Sequence, residues 1–195
     1  MEISIDLIVE LATRFWPWVV FSALVFIGFL VSLVDSSDKE PRVGFTYGEM
    51  PHMKPIKIDT ANKGFWKAIV HWLLGVRTWE LTEDFEFKVM DVKCYIPKGF
   101  VFDGASVPKF LAMWLSPTGL LLLGGLVHDY QYKYASMLIR DGEIKVNQEQ
   151  ADKLFRDICI EVNGFVVMNY LAYFSLRLFG FLAWNKHKKN GTHKG

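Results

Sequence analysis

Cysteine is nearly absent from this chain, and that excludes a good deal. Cys94 and Cys159 cannot build a disulfide framework, and no CxxC pair is present to hold zinc or run redox chemistry. Both sit in apolar stretches and read as buried or free thiols, so a cysteine nucleophile is not expected. An excess of charge is missing too. The net charge of +1 gives no field that would draw nucleic acid, and none is expected as a partner. The local exception is the basic run Lys186-His187-Lys188-Lys189 with Lys194. There is no G-x-S-x-G elbow, P-loop, HExxH, zinc-finger spacing or dinucleotide fingerprint, which argues against serine esterases, nucleotide hydrolases and zincins. No internal repeat or low-complexity segment occurs.

What the chain has in excess is apolar and aromatic side chains: 51% of its residues are hydrophobic, with 16 Phe and 7 Trp. Phe15 to Val34 is twenty residues without a charge, long enough as a helix to cross a bilayer, with Trp16 and Trp18 near one end. Acidic residues precede it and no cleavage site follows, so an uncleaved anchor is expected rather than a signal peptide. Glu2, Asp6 and Glu10 fall four apart on one face of the same helix. The Lys/Arg count tilts the C-terminal domain weakly toward the cytoplasm. The expected organisation is an anchor helix over 1–35, a linker over 36–60, a globular domain over 61–185 and a basic tail over 186–195.

Inside the domain the periods change. Ala61 to Leu74 reads as a short amphipathic helix. Trp79 and Leu81 alternate with polar residues, and Glu83-Asp84 permits a turn. Phe85, Phe87 and Val89 then face one way, and a slip near Met90 reads as a β-bulge before Val92, Cys94 and Ile96. Pro97-Lys98-Gly99 is a turn. Ser106-Val-Pro108 opens a helix that Pro117 separates from the next, Gly119 to Tyr134. Asp141-Gly142 predicts a tight hairpin turn, and Asn147 with Gln150 predicts a capping box for a helix that Asn163-Gly164 ends. Phe165 to Trp184 is a second apolar run, broken by Asn169 and Arg177. It reads as a helix packed on the domain, with a second span or a helix lying on the membrane as the alternative. The fold class expected is therefore α+β: a transmembrane helix, then a small antiparallel sheet packed with three to four C-terminal helices.

The chemistry-bearing residues gather between Gly99 and Tyr132, joined by Asp152. His128 and Tyr132 are four apart and share a helix face, while Asp129 projects away and suits a cation beside the imidazole. Asp103, beside Gly104, offers a second carboxylate on a loop. A carboxylate that holds a metal and an imidazole oriented by another acid suit metal-assisted hydrolysis, with calcium or zinc as the cation. The candidate roles are thus His128, Asp152 and Tyr132 in catalysis, with Asp129 and Asp103 at a metal. Each has a plainer reading. His128 bonded to a carboxylate can simply fix helix packing. Asp103 can cap its turn, and Asp152 sits where a helix dipole favours acids. Arg177 is a counter-ion for Asp103 or Asp152, or snorkels. His71 reads as a helix-face histidine, and the Tyr130, Tyr132 and Tyr134 run as packing.

Ile96-Pro-x-Gly99-Phe-x-Phe102-Asp103-Gly104-Ala105-Ser106-x-Pro108, then His128-Asp129-x-x-Tyr132, then Ala151-Asp152-x-x-Phe155 resembles the phage and prophage family catalogued as domain of unknown function 1353. The resemblance runs from about Leu81 to Trp184, with Arg177, Gly180 and Trp184 in its closing segment. It implies a small α+β domain in a viral or prophage setting. The N-terminal span and its linker lie outside the family core. His128-Asp129-x-x-Tyr132 with a later acid is also similar to the secreted phospholipase A2 site. That likeness implies that His128 activates water, Asp129 binds calcium, and Tyr132 and Asp152 orient the histidine. The dense disulfides and glycine-rich calcium loop of that family are missing here.

Two functions remain in view. One is a membrane-anchored, metal-dependent hydrolase acting on host envelope material, lipid or peptidoglycan, at a host inner membrane or virion membrane. The other is a non-enzymatic viral membrane protein whose domain binds a phage or host envelope protein. The expected partner in either case includes the lipid bilayer.

Overall fold

Helix α2 (Leu122–Tyr134) lies at the centre of the fold. Ten of its thirteen residues are buried. A helix buried on nearly every side has little solvent face to show, so it must be covered on both. On one side lies the sheet; on the other lie two long helices. The computed structural model describes residues 5–35, 42–57, 64, 66, 78–103, 119 and 121–193.

In chain order the elements are α1 (Ile5–Asp35), β1 (Thr46–Tyr47), β2 (Met53–Pro55), β3 (Trp79–Leu81), β4 (Phe85–Val89), β5 (Val92–Ile96), β6 (Val101–Phe102) and α2. After α2 come β7 (Ser136–Ile139), β8 (Gly142–Lys145), α3 (Gln148–Asn163) and α4 (Val166–Lys189). The class is α+β, as expected. The expected single sheet is corrected to two antiparallel ones, a five-stranded β1-β4-β5-β7-β8 and a three-stranded β2-β3-β6. β3 does not turn back onto β4; it pairs with β2 and β6 instead.

β4 shows the expected alternation, with Phe85, Phe87 and Val89 buried and the residues between them exposed. The slip at Met90 is a turn and not a bulge. Val89 pairs with Val92, and the two residues between them, Met90 (φ 49) and Asp91 (φ 63), both take the left-handed conformation of a type I′ hairpin. The second hairpin is shifted by one residue from the reading. Ile139 pairs with Gly142, so Arg140 and Asp141 make the connection.

Part of the stretch expected as a linker, 36–60, carries two short strands. Val43 and Phe45 are buried in the core, and β1 and β2 extend the two sheets. The Glu161 carboxylate on α3 accepts hydrogen bonds from the amides of Gly44 (3.1 Å) and Phe45 (2.9 Å), which fixes this stretch against the helices. Strands of two and three residues are too short to carry a period of two. Lys186 to Lys189, at the start of the expected basic tail, form the last turn of α4. The helix expected over 61–74, apart from residues 64 and 66, and the one expected after Ser106, with His71 and Gly104, lie outside the described residues, as do the side chains of the Glu2, Asp6, Glu10 stripe.

The local signals for α3 hold. Asn147 accepts from the Gln150 amide and Gln150 bonds back to the Asn147 amide, both at 2.9 Å. Gly164 closes the helix at φ 68. α2 and α3 approach closely at Gly124, where a Cβ would lie 3.0 Å from the Phe155 carbonyl oxygen and still nearer Cys159 Sγ. α3 and α4 then close a second cluster of Leu121, Phe155, Cys159, Ala172 and Leu176.

α1 packs on the first turn of α4, where a Cβ at Gly28 would sit 3.0 Å from the Val167 carbonyl. Elsewhere it exposes Phe15, Trp16, Trp18, Val19, Phe26 and Leu30. By length and composition both α1 and α4 suffice to cross a membrane. Their packing differs: 6% of the apolar window of α1 is buried, against 28% for α4.

Candidate functional site: a buried His–Asp–Tyr–Arg cluster beside a cavity

Three helices meet at one carboxylate. Asp152, fully buried on α3, is 3.0 Å from His128 Nε2 and accepts a 2.6 Å hydrogen bond from the Tyr132 hydroxyl, both from α2. Its other oxygen accepts a 2.8 Å hydrogen bond from Arg177 Nη1 on α4. The choice left open for Arg177 is thereby resolved in favour of Asp152. The helical spacing of His128 and Tyr132 is what lets them reach one acceptor, and the capping box starts α3 in the register that presents Asp152 to them. Gln148, four residues before Asp152, donates to the Tyr132 hydroxyl at 3.2 Å. It was not among the predicted residues, although the i, i+4 relation to Asp152 on a capped helix was the available signal.

The ring of His128 lies against Tyr132, with centroids 4.0 Å apart, and meets Phe155 edge-on at 5.4 Å. It is 1% exposed. With Nε2 held by a carboxylate, the neutral imidazole carries its proton there and leaves the Nδ1 lone pair available. Among the described residues neither His128 Nδ1 nor Asp129 Oδ2 has a hydrogen-bond partner. Asp129 Oδ1 is 3.8 Å from His128 Nδ1, beyond a hydrogen bond but within strong electrostatic reach.

The charges in this cluster perturb one another. Burial raises the Asp152 carboxyl, but hydrogen bonds from His128, Tyr132 and Arg177 outweigh it and hold the group below its usual range. Burial disfavours the His128 imidazolium, yet Asp129 and Asp152 together push it upward. Asp129 is raised to about 7, chiefly by burial and secondarily by the charge of Asp103, with His128 opposing. The two groups are therefore coupled: the His128 imidazolium and the Asp129 carboxylate each favour the other's charged form. Burial raises the Cys94 thiol to about 11 and the Cys159 thiol to about 12, which leaves both inert.

A cavity of about 310 Å³ opens beside this pair. Asp103, Asp129, Tyr132, Lys133, Lys186 and His187 are among the residues that line it. The five predicted site residues thus divide. His128, Tyr132 and Asp152 form a buried cluster, while Asp129 connects that cluster to a cavity that Asp103 also lines. For a metal the donor set is short. Among the described residues no group of three or more His, Cys, Asp or Glu side chains comes together to hold one. Calcium takes six to eight oxygens and a zinc site three or four protein ligands, so the Asp103 and Asp129 side chains complete neither.

No curated protein and no solved structure matches this chain. Residues 79–176 do match a family, described as Protein of unknown function (DUF1353). The match takes in β3 to β8, α2, α3 and the first half of α4, and so includes Asp103, His128, Asp129, Tyr132 and Asp152. It stops one residue short of Arg177, and α1 lies outside it. Covering half of the sequence and the centre of the fold, that match makes this chain a member of the DUF1353 family.

Proposed function

We propose that the protein is a membrane-anchored hydrolase that cleaves ester-bearing envelope lipid, with His128 and Asp129 handling the proton. One observation carries this reading: a histidine fixed by Asp152 faces a carboxylate at a cavity, and neither His128 Nδ1 nor Asp129 Oδ2 has another described partner. A group poised near neutral pH is suited to taking and returning a proton. In the proposed step a water at Asp129 gives its proton to the pair and its oxygen attacks the ester carbonyl carbon. As the acyl–oxygen bond breaks, the proton passes to the leaving oxygen. Asp152 holds the His128 tautomer, and Tyr132, Gln148 and Arg177 hold Asp152. α1 supplies the anchor, at a host inner membrane or virion membrane in the phage or prophage setting that the family resemblance implies. Lipid is preferred to peptidoglycan because α1 would keep the cavity near a bilayer.

Asp129→Asn separates function from folding. A carboxyl whose folded value lies above its unfolded value loses stability as pH rises from about 4 to about 7. Removing the ionisable group should therefore leave the melting temperature at pH 7.5 equal to or above that of wild type. Turnover of an ester lipid in mixed micelles should fall by about 10²- to 10⁴-fold, the usual worth of a positioned acid–base group. Absent turnover in the wild type, or an unaltered rate in the variant, would refute the proposal.

The second reading is a non-enzymatic module, and the near-complete burial of His128 and Asp152 favours it. There the cluster is a polar tie between helices, and the domain binds a phage or host envelope protein. The same assay decides between the two.

The proposed step needs no metal, because the His128–Asp129 pair itself takes and returns the proton. A chelator is expected to leave turnover unchanged. Loss of activity that calcium or zinc restores in the wild type, with metal retained by wild type and not by Asp129→Asn, would instead give Asp103 and Asp129 ligand roles.

A further inference from the structure

α4 carries an exposed apolar face that none of the described residues covers. Leu178 and Leu182 are 60% and 62% exposed, with Phe179 and Phe181 half-exposed beside them. At 100° per residue, Leu178, Leu182 and Lys189 fall within about 40° of one another, flanked by Phe179 and Lys186 on one side and Phe181 and Lys188 on the other. The stripe is thus apolar for one turn and basic for the next, and Lys186, Lys188 and Lys189 are all exposed. The opposite face is committed to the domain. Gly180 abuts the Tyr132 hydroxyl, Trp184 meets Tyr132 edge-on at 5.2 Å, and Arg177 is bonded to the fully buried Asp152.

We propose that this outer face of α4 docks on an anionic lipid surface, lying on the bilayer rather than crossing it. Crossing would require Arg177 to leave Asp152 and enter hydrocarbon, both costly. Docking leaves that bond intact, buries Leu178, Phe179, Phe181 and Leu182 among acyl chains, and sets the three lysines at the lipid phosphates. A protein groove would satisfy the apolar turn. The adjoining lysine turn, on a helix whose first turn packs against a membrane-length α1, fits charged headgroups better. Ala183, Lys186 and His187 of this same helix end also line the cavity beside Asp129. Docking therefore brings the cavity mouth to the headgroup layer, which gives the proposed lipid hydrolase its access to substrate. To that extent the inference rests on the function proposed above.

The test uses the full chain carrying Leu182→Cys labelled with an environment-sensitive fluorophore, with Lys153→Cys on the exposed face of α3 as the reference. The native thiols are buried. The protein is reconstituted into phosphatidylcholine vesicles with or without phosphatidylglycerol. Docking is supported if lipid-borne quenchers reach position 182 but not 153, more strongly with phosphatidylglycerol, and if Lys188→Glu/Lys189→Glu removes that difference. A chain that floats with the vesicles while position 182 is quenched only from water overturns docking and leaves the α1 anchor standing. Lipid quenching at 182 that ignores both headgroup charge and the lysine changes overturns it in favour of a span. Failure to associate with either vesicle overturns docking and the anchor together, whereas the micelle assay of Asp129→Asn tests the chemistry separately.

Discussion

Asp152→Ala is expected to lower the stability of the domain by about 3–5 kcal/mol, the usual consequence of removing one partner from a buried charge pair. Against a typical total of about 5–15 kcal/mol this is enough to bring the fold close to unfolding. The size follows from how many groups depend on one carboxylate. His128 Nε2 and the Tyr132 hydroxyl would lose their acceptor inside the protein, and the Arg177 guanidinium would lose its counter-ion. Three helices are joined there, so no single one can move to compensate. Arg177 matters least because it is 37% exposed and water can replace its partner. Asp152→Asn keeps the volume and part of the hydrogen bonding, and should fall between the two. The pH dependence carries the sign of a depressed carboxyl. Its contribution is present above the unfolded value near 4, and is lost as pH falls through the lower folded value. Chemical denaturation from pH 7 down to pH 2 should therefore show a shallower loss of stability in Asp152→Ala than in wild type. An alanine variant that melts with wild type would mean that this cluster does not hold the helices together.

Asp152 also shows which parts of the structure were legible in the sequence. Its partners His128 and Tyr132 could be grouped because a helix puts residues four apart on one face, and Arg177 could be named because a charge in an apolar run needs a counter-ion. β4 was legible because five residues suffice to show alternation, and α3 because Asn147, Gln150 and Gly164 mark both ends chemically. β1 and β2 were not, being shorter than the period they would have to display. The Met90-Asp91 turn was misread because methionine is a poor marker for a left-handed residue, so a hairpin resembled a bulge. Glu161 gave no sign that it would hold the Gly44 and Phe45 amides, more than a hundred residues away in the chain. What pattern cannot show is long-range contact. The spacing puts the Asp129 carboxylate beside the imidazole but does not say how many other ligands join it there.

Gly124→Ala tests a contact of that long-range kind. In an isolated helix the change would be favourable by about 1 kcal/mol, because glycine is the poorer helix former. Here the sign should reverse. The new methyl group would meet Cys159 Sγ well inside contact distance and the Phe155 carbonyl at 3.0 Å, and a carbonyl held in the middle of α3 can yield only if the helix moves. Overpacking of this kind costs about 1–3 kcal/mol, so a net loss is expected. Separation at Gly124 also acts one turn from His128, on the same face of α2, and should lengthen the 3.0 Å approach of His128 to Asp152. Adding Cys159→Ala makes room for the methyl on the sulfur side while leaving the carbonyl in place. The double variant should therefore recover part of the loss, with a coupling of about 0.5–3 kcal/mol in a double-mutant cycle. Thermal or urea unfolding of the four chains measures both quantities. A Gly124→Ala chain more stable than wild type would show that α2 and α3 are not in contact there. Strict additivity with Cys159→Ala would show that the sulfur is not what the methyl group meets.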